Sequence, residues 1–141
     1  MSHVSAALRR AVRRRARGLC EYCRSCPELT GHDFTIDHIV PTSSGGVNRS
    51  QNLCWCCFWC NNFKQAQTQA VDPRTSRLVP LFHPRLDQWE GHFKWSRDGT
   101  RMIGRTPTGR ATIEALRLNR PILLRARRVW VRHGLHPPDK T

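Results

Sequence analysis

Hydrophobic residues recur at every fourth position near the start of the chain. Val4, Leu8 and Val12 stand at i, i+4 and i+8, and arginines occupy most of the positions between them. This pattern predicts an amphipathic helix over residues 4–17, which Gly18 ends.

Two apolar runs follow, separated by a segment rich in turn residues. Residues 34–40 (FTIDHIV) predict a strand that Pro41 ends, and residues 53–56 (LCWC) favour a short strand. Residues 41–52 contain a Gly-Gly pair and predict a loop. Residues 57–70 hold good helix formers after two cysteines, so we expect a helix after the second strand.

The second half of the chain predicts a hairpin and two helices. Residues 71–80 are rich in Pro and Arg and favour a connector, whereas residues 92–104 alternate about an Asp98-Gly99 turn and predict a β-hairpin. Residues 109–119 and 120–133 show helical periodicity. Core-like positions in these helices are held by Ile113, Leu116, Ile122, Leu123, Val129 and Trp130.

Strands and helices do not alternate, which favours an α+β fold over a parallel sheet. A length of 141 residues fits one domain with extensions. We expect a first domain over residues 1–70 and a C-terminal extension over residues 71–141 that packs on it.

The net charge of the chain indicates which class of molecule it binds. The formal net charge is +14, and 21 of the 24 basic residues are Arg. Such a field attracts polyanions, and the guanidinium group suits bidentate phosphate contacts. Arg13, Arg14 and Arg17 of the first helix are candidate nucleic-acid contacts, the alternative being a solvated basic surface.

No apolar run approaches the roughly 18 residues of a membrane span, and no signal-peptide core follows the basic N-terminus. We therefore expect no membrane partner and a cytoplasmic location. The cysteine count, seven, is odd and excludes complete disulfide pairing. Paired Cys-x-x-Cys in a reducing compartment indicates metal binding.

Two such knuckles, Cys20/Cys23 and Cys57/Cys60, are separated by 33 residues. Four thiolates suit a closed, structural Zn²⁺ site. The spacing alone leaves the register open, because Cys23/Cys26 and Cys54/Cys57 are also three apart.

Residues suited to phosphodiester hydrolysis lie between and just after the knuckles. A neutral imidazole is a suitable base near pH 7, which makes His38 the candidate general base. Asp37 is a hard oxygen ligand for Mg²⁺ or Mn²⁺, and Asn61 can add an amide oxygen without charge. Asn62 is a rival for that amide ligand. Taken singly, each residue also has a plain structural explanation, as a strand-end turn, a loop residue or a helix cap.

The ordered set Cys-x2-Cys, Asp-His, Asn52, Cys-x2-Cys-Asn and Lys64 resembles the HNH endonuclease family, with its ββα-metal fold, over about residues 13–66. An Asn directly after the last zinc cysteine resembles the zinc-bearing branch and implies the register Cys20, Cys23, Cys57, Cys60. The resemblance further implies that Asp37 and Asn61 hold the catalytic ion, that Asn52 positions the loop near His38, and that Lys64 contacts the nucleic-acid backbone.

The expected protein is thus a DNA endonuclease with a basic N-terminal helix, a ββα-metal core and a C-terminal extension of hairpin and helices. The expected substrate is double-stranded DNA, with a homodimer or a protein partner as a further expectation. One alternative is a zinc-stapled nucleic-acid-binding or adaptor module without catalysis. An RNA nuclease ranks last, because no aromatic stacking sheet is evident in the sequence.

Overall fold

A computed structural model describes residues 4–139. Helices and short strands follow one another in no regular order, and the strands form two-stranded antiparallel sheets. This arrangement confirms the α+β class. The elements are α1 (Ala6–Arg15), α2 (Pro27–Thr30), β1 (Thr35–His38), β2 (Leu53–Cys56), α3 (Phe58–Lys64), β3 (Gln69–Val71), β4 (Leu78–Pro80), α4 (Trp89–His92), β5 (Phe93–Trp95), β6 (Met102–Gly104), α5 (Pro107–Ala115) and α6 (Pro121–Arg132).

The chain divides into two compact units. The described residues up to Thr68, together with His83–Asp87, form the first unit. Gln69–Phe82, together with the described residues from Gln88 onward, form the second unit. The two predicted domains, 1–70 and 71–141, remain a prediction, and their outermost residues 1–3 and 140–141 lie outside the described residues.

The first unit has a ββα core. β1 and β2 pair antiparallel, with Asp37 opposite Cys54 and His38 opposite Leu53. All four residues of β2 are buried, so their side chains cannot alternate between core and solvent. α1 packs on β2 through Val12, and the Ser5 hydroxyl caps this helix by accepting from the Leu8 amide.

The helix predicted over residues 57–70 is shorter than expected. α3 ends at Lys64, because Gln65 has a positive φ of 51° that an α-helix does not accommodate. The predicted connector over residues 71–80 is wrong, because β3 and β4 pair there as a hairpin. The Asp72 carboxylate stabilises the turn of this hairpin by accepting hydrogen bonds from the Arg74 amide and the Thr75 hydroxyl.

The second unit contains the predicted hairpin and both predicted helices. β5 and β6 pair about the Asp98-Gly99 turn, and α5 packs on β6, β3 and β4. Two core predictions in α6 are wrong: Ile122 is 60% exposed and Val129 is 48% exposed, because α6 buries the neighbouring stripe formed by Leu123, Arg127 and Trp130.

His136 closes the core of the second unit. Its ring lies 4.4 Å from that of Trp95 and 5.9 Å from that of Trp130. Burial, followed by the nearby charge of Arg127, lowers the pKa of His136 to about 4. The imidazole is therefore neutral in the folded protein at neutral pH. Among the described residues, no helix is long and apolar enough to span a membrane.

Candidate metal centres and active site

Four buried cysteines converge in the first unit. The Sγ atoms of Cys20, Cys23, Cys57 and Cys60 all lie within 4.8 Å of one another. A tetrahedral Zn²⁺ with Zn–S bonds of about 2.3 Å needs sulfurs about 3.8 Å apart, and the Cys23–Cys57 separation is 3.8 Å. The donor set fits structural zinc in the register that the family resemblance implied.

The site anchors the start of α3. The Cys57 Sγ accepts from the Cys60 amide at 3.3 Å, as an N-cap does. A turn at residues 20–23 supplies the other two ligands, and the Cys20 amide donates to the Ser25 carbonyl at 2.8 Å. Zinc here would tie α3 to the segment after α1.

The remaining three cysteines lie outside this group. Cys54 and Cys56 are fully buried in β2, where burial raises the pKa of both thiols. Both therefore stay protonated and pack as small apolar side chains. Cys26 is partly exposed and stands at the N-cap of α2.

Asp37 carries its carboxylate into the interior beside α3. The Oδ2 atom accepts from the Tyr22 hydroxyl at 3.1 Å and from the Lys64 ammonium at 3.1 Å. Burial raises the pKa of Asp37, and the Lys64 charge opposes that rise. Burial also raises the pKa of Tyr22, so its hydroxyl stays protonated and donates.

Lys64 is not on the surface where a phosphate contact was predicted. It is 1% exposed, and besides Asp37 its Nζ reaches the His38 carbonyl at 3.4 Å. α3 turns this side chain inward because Lys64 lies one turn after Cys60, which the cysteine cluster holds in the core. The ammonium thus balances the buried charge of Asp37.

His38 is the last residue of β1, so its ring can leave the pleat and remain partly exposed. Its Nε2 atom lies 2.5 Å from the Asn48 Oδ1, an acceptor that suits an imidazole protonated at Nε2. An imidazole in that tautomer carries its lone pair on Nδ1. Asn48 was missed by the sequence reasoning, because its contact with His38 depends on how the loop over residues 41–52 folds.

Asn52 fixes that loop. Its side-chain Oδ1 accepts from the Val40 amide at 2.9 Å, and its Nδ2 donates to the carbonyls of Val40 and Val47, both at 3.0 Å. Gly46 is required beside it, since a Cβ there would lie 1.7 Å from the Val40 oxygen. The positioning role predicted for Asn52 is consistent with these contacts.

Asn61 lies on α3 one turn before Lys64 and is partly exposed. Residues three apart share a helix face, so Asn61 lies on the side of α3 that Lys64 directs toward Asp37. Asn62 is exposed and lies about 100° further round the helix. Asn61 is thus nearer than Asn62 to the helix face that bears Lys64, and its pairing with Asp37 stays a prediction.

The predicted phosphate contacts Arg13, Arg14 and Arg17 are all exposed. Arg15 behaves differently, because its guanidinium donates to the Leu53 carbonyl at 2.7 Å and to the Ser50 hydroxyl at 2.6 Å. It therefore joins α1 to the start of β2.

Residues 20–77 match a family model described as HNH endonuclease. Over this segment, which is less than half of its length, the chain is similar to the HNH endonuclease family. The match includes all four clustered cysteines, the Asp37-His38 pair and α3, which confirms the resemblance and supports the nuclease class with its divalent-metal chemistry. A search of curated proteins and a search of solved structures found no match.

Proposed function

We propose that this protein is a metal-dependent DNA endonuclease in which His38 is the general base. The observation that carries this proposal is the junction of β1 with α3. His38 ends the strand with its Nε2 on Asn48, while the preceding Asp37 pairs with Lys64 of α3, which lies one turn after Asn61. The family match of residues 20–77 supports the same reaction class.

The catalytic ion would be held by Asp37 and Asn61. Carboxylate and amide oxygens are ligands of Mg²⁺ and Mn²⁺, and the contacts of Asp37 with Tyr22 and Lys64 both use Oδ2. A bound divalent ion supplies charge neutralisation at the phosphate and at the leaving oxygen. Asp37 directly precedes the candidate base, and Asn61 lies one turn before Lys64, whose Nζ reaches the His38 carbonyl.

The protein's own residues perform the proton transfer. His38 Nδ1 takes a proton from a water molecule whose oxygen attacks phosphorus. The bond from phosphorus to the 3′ oxygen breaks, and that oxygen takes a proton from solvent, leaving 5′-phosphate and 3′-hydroxyl ends. Asn48 holds the ring in the required tautomer, and Asn52 holds the loop that carries Asn48.

Electrostatics favours a nucleic-acid substrate. The net charge of +14 and the exposed Arg13, Arg14 and Arg17 provide sequence-independent attraction to phosphates. Zinc would act structurally, holding the start of α3 so that Asn61 faces Asp37.

The test is cleavage of supercoiled plasmid with Mg²⁺ or Mn²⁺ and with chelator. His38→Ala should lower the rate by roughly 10²- to 10⁴-fold, the usual contribution of a general base. His133→Ala, at an exposed histidine beyond α6, is the matched control and should cut normally.

Zinc content and DNA binding should be unchanged in His38→Ala. Equal cutting by His38→Ala and the parent would refute the assignment of the base. A parent that binds DNA but cuts no DNA with either metal would instead support the adaptor alternative.

A further inference from the structure

α3 exposes an aromatic surface that the cleavage mechanism does not use. Phe58 is 53% exposed and Trp59 is 45% exposed, with ring centroids 5.1 Å apart in an edge-on arrangement. The Trp59 ring stacks on that of Phe63, at 5.9 Å and 29° between planes. Phe58, Trp59 and Phe63 together form the aromatic face of α3.

This face begins beside the proposed active site. Phe58 lies three residues before Asn61, so the two are neighbours on the helix surface. Cys60 and Lys64 occupy the buried side of the same helix. A strand lying across the aromatic face would therefore pass next to Asn61.

Phe58 also connects, through His32, to a groove within the first unit that three arginines and two acidic residues line. The Phe58 amide donates to His32 Nε2 at 3.3 Å, and the His32 ring lies 5.3 Å from that of Phe34. Phe34 and Trp55 line a groove of about 360 Å³. The other residues lining it are Arg9, Arg10, Arg13, Pro27, Glu28 and Asp33.

Exposed aromatic rings near a row of arginines are a combination that binds single-stranded nucleic acid. The rings stack on bases, and the guanidinium groups contact phosphates. Self-association through this face is disfavoured, since each copy carries a net charge of +14. Base stacking also needs no particular sequence, since every base has a π-face.

We propose that the aromatic face of α3 binds unpaired bases, so that this endonuclease acts on single-stranded or locally unpaired DNA. The proposal rests on the proposed function and deepens it by naming the substrate class. The rings hold the bases and the groove arginines hold the backbone, while Asn61 lies one helical turn from Phe58 at the edge of the aromatic face.

The test measures binding in the His38→Ala background of the zinc-loaded protein, without added Mg²⁺ or Mn²⁺, so that no cutting is required. The probes are a fluorescein-labelled oligo-dT and a fully paired duplex of the same length, followed by fluorescence anisotropy. Phe58→Ala and Trp59→Ala should each weaken oligo-dT binding by roughly 5- to 150-fold, the usual effect of losing one stacking ring. Duplex binding should be unchanged, and Trp59→Phe should retain most of the affinity.

Leu86→Ala is the matched control, because Leu86 is an apolar residue of the same unit and is 80% exposed. Zinc content and thermal unfolding verify that each variant is folded. Equal losses on both DNAs, or no loss on either, would overturn the proposal. Tighter binding of oligo-rU than of oligo-dT, or a dimer of the parent that Trp59→Ala dissociates, would also overturn it. Plasmid cutting that depends on His38 can succeed or fail independently of these results.

Discussion

Replacing Lys64 by methionine tests the electrostatic arrangement at the centre of the site. Lys64 is 1% exposed and Asp37 is 6% exposed, so their 3.1 Å ion pair is screened little by solvent. Methionine keeps a similar length and flexibility without the charge. Lys64→Met therefore leaves a buried carboxylate whose remaining donors include the Tyr22 hydroxyl.

The expected cost is about 3 kcal/mol in the free energy of unfolding. Removing one partner of a buried pair costs roughly 3–5 kcal/mol, because the other charge stays uncompensated. The Tyr22 hydrogen bond still stabilises the Asp37 carboxylate, which places this pair at the lower end. For a chain of this size, about 3 kcal/mol corresponds to a fall of roughly 6–12 °C in Tm.

The assay is thermal unfolding of the zinc-loaded protein with and without Mn²⁺. In the parent, the Lys64 ammonium already balances Asp37, whereas in Lys64→Met a divalent ion is the available cation. Mn²⁺ should therefore raise the Tm of Lys64→Met more than that of the parent.

The matched control is the double variant Asp37→Asn/Lys64→Met, which removes both charges. It should recover most of the lost stability and gain nothing further from Mn²⁺. The reasoning is refuted if Lys64→Met is as stable as the parent, or if the double variant is no more stable than Lys64→Met.

Three further outcomes are expected. Cys57→Ser should lose bound zinc in an elemental analysis while Cys54→Ser retains it, and zinc loss from Cys54→Ser would reject the proposed register. Asn48→Ala should slow plasmid cutting without changing KM, by less than the roughly 10²- to 10⁴-fold expected for His38→Ala; an unchanged rate would separate Asn48 from catalysis. The pKa of His136 is about 4 in the folded protein and about 6.5 in the unfolded chain. The unfolded chain therefore binds the proton more readily, and the free energy of unfolding falls as the pH is lowered from about 6.5 to about 4. His136→Gln should remove that part of the pH dependence in denaturant titrations, by at most about 3 kcal/mol, and a titration curve like the parent's would show that His136 is not its source.

The ββα segment was the most predictable part of the fold. Its strands carry apolar, β-branched and aromatic residues, and local spacing suffices to suggest paired cysteine ligands. The hairpin about Asp98-Gly99 was also predictable, because a two-residue turn of that kind acts locally. The hairpin of β3 and β4 was missed, because its Pro and Arg residues do not give the apolar alternation that is typical of strands. Its turn depends instead on Asp72 and on the ion pair of Asp72 with Arg110.

Sequence alone determined the chemical inventory: four thiolates in two knuckles, an Asp-His pair, two spaced asparagines and a large positive charge. These follow from residue identity and spacing, which local chemistry constrains. Tertiary structure decided which side chains meet. It buried Lys64 against Asp37, placed Asn48 on His38, and exposed the rings of Phe58 and Trp59. Such pairings depend on contacts between residues distant in sequence and on which helix face the cysteine cluster turns inward, and no local pattern encodes either.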